Sequence, residues 1–148
     1  MPWLVDGSNV LGAMRADRHS DEAKRGLMRL LAGFARARRT RVTCIFDGSE
    51  PPSFGRHLGG VIAVFSGTRS ADDLITERAA QGRGWSVVTS DRELAARVQR
   101  RQVAVVAPAA FIREMEGLGF AKLSIEQLVK LKIHGVDAAF VKSLGKKR

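Results

Sequence analysis

Val42-Thr43-Cys44-Ile45-Phe46-Asp47-Gly48 is an unbroken apolar run closed by an acidic turn. A strand with one wet face alternates apolar and polar residues. A continuous run is covered on both faces, as in a parallel sheet between helical layers. The pattern recurs on either side. Upstream, Pro2 to Val5 is a short apolar strand ended by the turn Asp6-Gly7-Ser8-Asn9. Between the two, Ser20 to Arg39 reads as a helix, with Leu27, Leu30, Leu31 and Phe34 on one face and Ser20 as N-cap. Downstream, Gly48 to Gly60 is rich in Gly and Pro and reads as a loop. Val61 to Phe65, Trp85 to Thr89 and Val103 to Val106 read as further strands. Helices are predicted over Ser70 to Gln81, from Asp91 to about Arg101, and from Pro108 to about Glu116. Strands followed by helices in this way predict an α/β three-layer sandwich with a five-stranded parallel sheet.

Past Gly117-Leu118-Gly119 the pattern changes. Leu123 to Ile133 is helical, with a capping box at Ser124 and Gln127, and Asp137 can cap a second helix over Ala138 to Leu144. The chain therefore divides into a main domain, 1–116, and a C-terminal helical hairpin with a basic tail, 117–148. No apolar run approaches the ~20 residues of a membrane helix. The N-terminus lacks the basic and apolar regions of a secretory signal. Cys44 is the single cysteine of the sequence, which excludes an internal disulfide and a multi-cysteine zinc site. The expected setting is the cytoplasm, with no membrane partner and no small-molecule cofactor. Gly-rich phosphate loops are absent from the sequence.

The charge points to a polyanion. Lys and Arg number 25 against 15 Asp and Glu, a formal charge of +10. Such an excess on a small domain favours nucleic acid. Clusters lie at Arg36, Arg38, Arg39 and Arg41, and at Arg97, Arg100 and Arg101.

The acidic residues are placed against this background. Asp6 follows the first strand, Asp47 the second, Asp72 and Asp73 open the helix after the third, and Asp91 lies just past the fourth. In a parallel sheet all strand carboxyl ends share one edge, and ligands bind in the crevice there. Carboxylates gathered at that edge repel one another unless a cation neutralises them. Mg²⁺ or Mn²⁺ takes such oxygen ligands, and next to a phosphodiester it can activate water and stabilise phosphoryl charge. Each Asp alone also has a structural reading. Ser70-Ala71-Asp72-Asp73 and Ser90-Asp91-Arg92-Glu93 are capping sequences, and Asp6-Gly7 and Asp47-Gly48 are turn sequences. Asn9 either bonds the turn or orients Asp6. Phe54 could stack on a base.

Four motifs occur in order: Leu4-Val5-Asp6-Gly7-Ser8-Asn9-Val10, Ile45-Phe46-Asp47-Gly48, Ser70-Ala71-Asp72-Asp73-Leu74-Ile75 and Val88-Thr89-Ser90-Asp91-Arg92-Glu93-Leu94. Together they resemble the NYN branch of the PIN-like nuclease superfamily, in particular its bacterial YacP-like members, over residues 2 to 115. The resemblance implies a PIN-like sandwich and a Mg²⁺- or Mn²⁺-dependent endoribonuclease that leaves 5′-phosphate and 3′-hydroxyl ends. It places catalytic roles on Asp6, Asp47, Asp73 and Asp91, with Asn9 in support. Metal ligation falls on Asp6, Asp47, Asp72 or Asp73, and Asp91. The expected RNA contacts are Ser8, Ser90, Arg69, Arg92, Arg38 and Arg39. Where this chain has Ser8 the family often has Tyr, and Tyr is absent from the sequence. Some YacP-like relatives act on messenger RNA in the ribosome, which makes the ribosome an expected partner. The alternative is a non-catalytic, ribosome-associated RNA-binding module on the same fold.

Overall fold

Neighbouring residues of the central strands feed two different cores. Leu4 and Ile45 pack into one, Val5, Cys44 and Phe46 into the other. Both faces of these strands are therefore dry, as their unbroken apolar runs require. The computed structural model describes residues 2–81, 84–99 and 103–118. Along the chain come β1 (Trp3–Asp6), α1 (Gly7–Ala13), α2 (Asp21–Arg38), β2 (Val42–Phe46), β3 (His57–Leu58), β4 (Val61–Phe65), α3 (Ala71–Ala80), β5 (Ser86–Val88), α4 (Arg92–Gln99), β6 (Ala104–Val106) and α5 (Pro108–Gly117).

The sheet order is β3-β4-β2-β1-β5-β6. β4, β2, β1, β5 and β6 are parallel, as expected from the sequence. A sixth strand, β3, lies antiparallel on β4 through the Gly59-Gly60 turn, inside the stretch read as a loop. Gly59-Gly60 between His57-Leu58 and the apolar run Val61–Phe65 is a two-residue hairpin signal. The chain builds outward from β1 through β2 to β4, then crosses back to β5 on the other side of β1. That reversal opens a crevice between the carboxyl ends of β1 and β5.

One core holds α2 residues Leu27, Leu30, Leu31 and Phe34 with Phe111, Ile112 and Met115 of α5. Trp3, Phe34 and Phe111 form an aromatic trio with centroids 5.0–5.5 Å apart. The other core holds Ile75 and Ala79 of α3 with Leu94 and Val98 of α4. Ser20 caps α2, its hydroxyl accepting the Ala23 N–H at 3.2 Å, and Arg39 ends the helix in the left-handed conformation. Cys44 is fully buried, and burial pushes its thiol pKa up, so it packs as an inert core residue. Phe54 is also core: it packs edge-on against Phe46 and Phe65, and so is not free to stack on a base. No described helix is long and apolar enough to cross a membrane. The C-terminal hairpin expected from the sequence lies outside the described residues.

Candidate active site

The residues after Asp6 fold as a helix where a turn was expected. α1 starts at Gly7, and Asp6 is its N-cap, one carboxylate oxygen accepting the Asn9 N–H at 3.2 Å. Two other aspartates also accept an N–H at the start of a helix. Asp47 accepts the Ala71 N–H, at the start of α3, at 2.9 Å. Asp91 accepts the Leu94 N–H, in the first turn of α4, at 3.0 Å. The structural and functional readings of these residues are therefore not exclusive. Each cap fixes one oxygen and leaves the rest of the carboxylate available. Three helix N-termini, each a positive dipole end, face the same sheet edge.

The linkers are ordered by side chains. Asn9 does not reach back to Asp6. Its Oδ1 accepts the Ser90 N–H at 2.8 Å, the Ser90 hydroxyl at 2.6 Å and the Thr89 hydroxyl at 3.3 Å. Thr89 in turn accepts the Asp91 N–H at 3.1 Å. Asn9 thus ties the end of β1 to the end of β5 across the crevice and is a positioning residue for Asp91. The Ser90 hydroxyl is spent on Asn9, so the cap of α4 falls to Asp91, one residue later than the sequence suggested. Beside β2, the Gly48 N–H donates to Ser66 Oγ at 3.1 Å, and the Gly67 N–H donates to the Gly48 carbonyl at 2.9 Å. Ser66 is a site-ordering residue that no sequence motif marked. Replacing Asn9 by Ala leaves the Ser90 N–H and the Thr89 hydroxyl without their acceptor, at an expected cost of ~1–3 kcal/mol. Denaturant titration of Asn9→Ala checks this; a midpoint equal to the native one contradicts it.

Electrostatics select the group. Asp6 is 2% exposed. Burial raises its pKa from 3.8 to about 7 against the Asn9 hydrogen bond, and Asp72, Asp47 and Asp91 raise it further. Asp72 is pushed up to about 6, by burial first and then by its hydrogen bond with Asp91 and the charges of Asp91 and Asp47. Asp91 is held low, first by the Leu94 N–H and then by the same bond to Asp72. The pair is thus uneven, Asp72 shifted towards the protonated form and Asp91 towards the charged one. Asp73 stands apart from this bond. It is exposed, its N–H bonds Ser70 Oγ at 3.2 Å, and its charge acts on Arg69 and Glu77 and, as the last of several causes, on Asp72. The structure therefore brings together Asp6, Asp47, Asp72 and Asp91, with Asp73 on the outer side of α3.

The expected RNA contacts scatter. Ser8 is buried in the first turn of α1, so its hydroxyl offers no open surface. Arg69 is paired with Glu77, Nη1 donating at 3.2 Å. Ser90 and Arg92 are exposed at the carboxyl edge. Arg38 and Arg39 are not there. They end α2 just before β2 begins, at the amino edge of the sheet, and Arg38 is paired with Glu114 over the Phe34 ring.

This doubly covered, mostly parallel α/β sheet with aspartates at a strand reversal has the nuclease-type fold of the family that its sequence matches. Its sequence agrees: residues 3–132 match the YacP-like NYN domain, and the chain belongs to that family. No curated protein matches the chain in sequence. Two solved structures share its fold. Rae1 (YacP) from Bacillus subtilis is 21% identical with a TM-score of 0.69, over 99% of this chain and 91% of that one. The W164L mutant of the same protein is 22% identical with a TM-score of 0.64, over 93% of this chain and 98% of that one.

Proposed function

We propose that the chain is an endoribonuclease whose acidic edge works with Mg²⁺ or Mn²⁺. The observation that carries this reading is the gathering of Asp6, Asp47, Asp72 and Asp91 at one sheet edge, where burial and acidic neighbours raise both Asp6 and Asp72. Carboxylates pressed together in this way hold protons that a divalent cation can replace.

The donor set fits a hard cation: it consists of carboxylate oxygens with no sulfur or imidazole. Among the described residues, no group of three His, Cys, Asp or Glu side chains stands in metal-holding geometry. Asp6, Asp47, Asp72 and Asp91 are the residues that would hold the ion. Asp47 is exposed and Asp72 and Asp91 are partly exposed, so their side chains have room to turn, while β2, α3 and the start of α4 fix their backbones. The bound ion would activate water and stabilise charge on the phosphoryl oxygens. The chain's own contribution is to fix the ligands, exclude water around Asp6, and present three helix N-termini to an anionic backbone. Arg92, exposed at the start of α4, supplies a cation for a neighbouring phosphate. RNA as the substrate rests on family membership, and the basic surface supports it.

The test is cleavage of end-labelled RNA with Mn²⁺ or with EDTA. Asp91→Asn is expected to lower the rate ~10²–10³-fold, the scale of losing one electrostatic contributor in an active site. Asp73→Asn is expected to stay near the native rate, because Asp73 lies with Arg69 and Glu77. Equal loss in both, or cleavage that survives EDTA, rejects the reading. Salt-sensitive RNA binding with no cleavage at all points to the binding-module alternative.

A further inference from the structure

The amino edge of the sheet, opposite the aspartates, carries a groove of about 1020 Å³. It runs from the end of α2 past the Gly59-Gly60 turn to the start of β5. Arg39, Arg41 and His57 line it together with the apolar surfaces of Ile62 and Trp85, and none of its lining residues is acidic. Arg39 and Arg41 are exposed, and among the described residues neither side chain has an ion pair or hydrogen bond. That separates them from Arg38, Arg56, Arg69 and Arg97, each of which is paired with a glutamate. Ile62 is 44% exposed, unusual for a large aliphatic residue of this chain. At Gly60 an added Cβ would lie 3.1 Å from the Thr40 carbonyl, so the turn sits close against the end of α2.

We propose that this groove is a second RNA-binding surface, where Arg39 and Arg41 take backbone phosphates and an unpaired base lies on Trp85 and Ile62. Unpaired guanidinium groups beside an aromatic and an aliphatic surface suit single-stranded nucleic acid, which needs both phosphate contacts and a platform for bases. The absence of carboxylates in the groove makes it complementary to a polyanion, in contrast to the opposite edge. The central strands have four or five residues at ~3.3 Å each, which sets the two edges ~15 Å apart. RNA on the groove is therefore not the phosphodiester at the aspartates. It is a flanking part of the same molecule, and the groove favours long substrates over short ones. This inference deepens the nuclease proposal but rests on it only for the word substrate, since binding is measured separately.

The experiment uses the full chain carrying Asp6→Asn, so that RNA is bound without being cut. A fluorescein-labelled oligo(U) of about 12 nucleotides, within the roughly 4–16 typical of single-strand sites, is titrated at several salt concentrations. Arg39→Ala with Arg41→Ala is expected to weaken binding about tenfold. The logarithmic salt slope should fall by ~1.4, two single-strand phosphate contacts at ~0.7 each. Arg39→Lys with Arg41→Lys should restore most of the slope, which a merely misfolded groove would not do. Unaltered affinity and slope in the Ala pair overturn the inference. So does loss of a concentration-dependent dimer in place of RNA binding, which would make the groove a contact between copies. Absence of cleavage from the native chain, with the binding loss intact, overturns the nuclease reading alone.

Discussion

Asp6→Asn is expected to yield a metal-free protein that melts higher than the native chain above about pH 7 and cuts no RNA. In the native chain Asp6 ionises near pH 7 when folded and near 3.8 as a free group, chiefly because it is buried. The folded state therefore binds the proton more tightly than the unfolded state. Stability is fully present below the lower value and falls as pH rises through the window between the two. A displacement of this size corresponds to ~4 kcal/mol between protonation states. Asn removes the charge and keeps an oxygen for the Asn9 N–H, since Asn caps helices as well as Asp does. A gain of about 2–4 kcal/mol at alkaline pH is expected, with a flattened pH–stability profile in that window. Thermal melts of both proteins in EDTA across the pH range measure it. Parallel profiles for the two proteins contradict the burial of an ionisable Asp6. The gain in stability with loss of activity is what separates a site residue from a structural cap, whose replacement by Asn would leave both close to native.

Gly7→Ala is the second large effect, and it acts through packing alone. A Cβ at Gly7 would lie 2.6 and 2.7 Å from Phe46 ring carbons and 2.9 Å from Cys44 Sγ. The Phe46 ring cannot retreat freely. It stacks on Phe65 at 5.3 Å and meets Phe54 edge-on at 6.0 Å. The added methyl therefore lifts α1 off the sheet or displaces Phe46 together with Phe54 and Phe65. Overpacking at such a point costs ~3 kcal/mol. Either response moves Asp6, which caps α1, and Asp47, which follows Phe46. Denaturant midpoints should fall accordingly, and Phe46→Leu in the Gly7→Ala chain should recover part of the loss, a coupling expected of residues in contact. A Gly7→Ala chain as stable as the native one would mean that α1 does not dock as closely as described.

The sheet was legible because strands buried on both faces leave continuous apolar runs, and β2 is the clearest. The aspartates were legible as a set because parallel strands share one carboxyl edge. What was not legible depended on partners distant in sequence. Nothing local says that the Asn9 side chain bonds Ser90 and not Asp6, because that bond spans the β1–β5 crevice and follows from strand order. Nothing in Asp72-Asp73 says which one faces Asp91; the helix rotation decides it, and Asp72 is the inward residue. Phe54 read as a loop aromatic because its partners, Phe46 and Phe65, end two separate strands. β3 was missed because two residues are too few for an alternation signal. The position of Arg38 and Arg39 could have been inferred: a helix that leads into a parallel strand ends at the amino edge, away from the aspartates.

The measurement that bears most directly on the central claim is anomalous diffraction from crystals soaked in Mn²⁺ above pH 7. There Asp6 and Asp72 have largely lost their protons. The account predicts a Mn²⁺ peak ligated by Asp6 with two or more of Asp47, Asp72 and Asp91, and no such peak in Asp6→Asn crystals. Saturating Mn²⁺ that leaves this edge empty in the native chain, or that binds elsewhere while RNA is still cut, would contradict it.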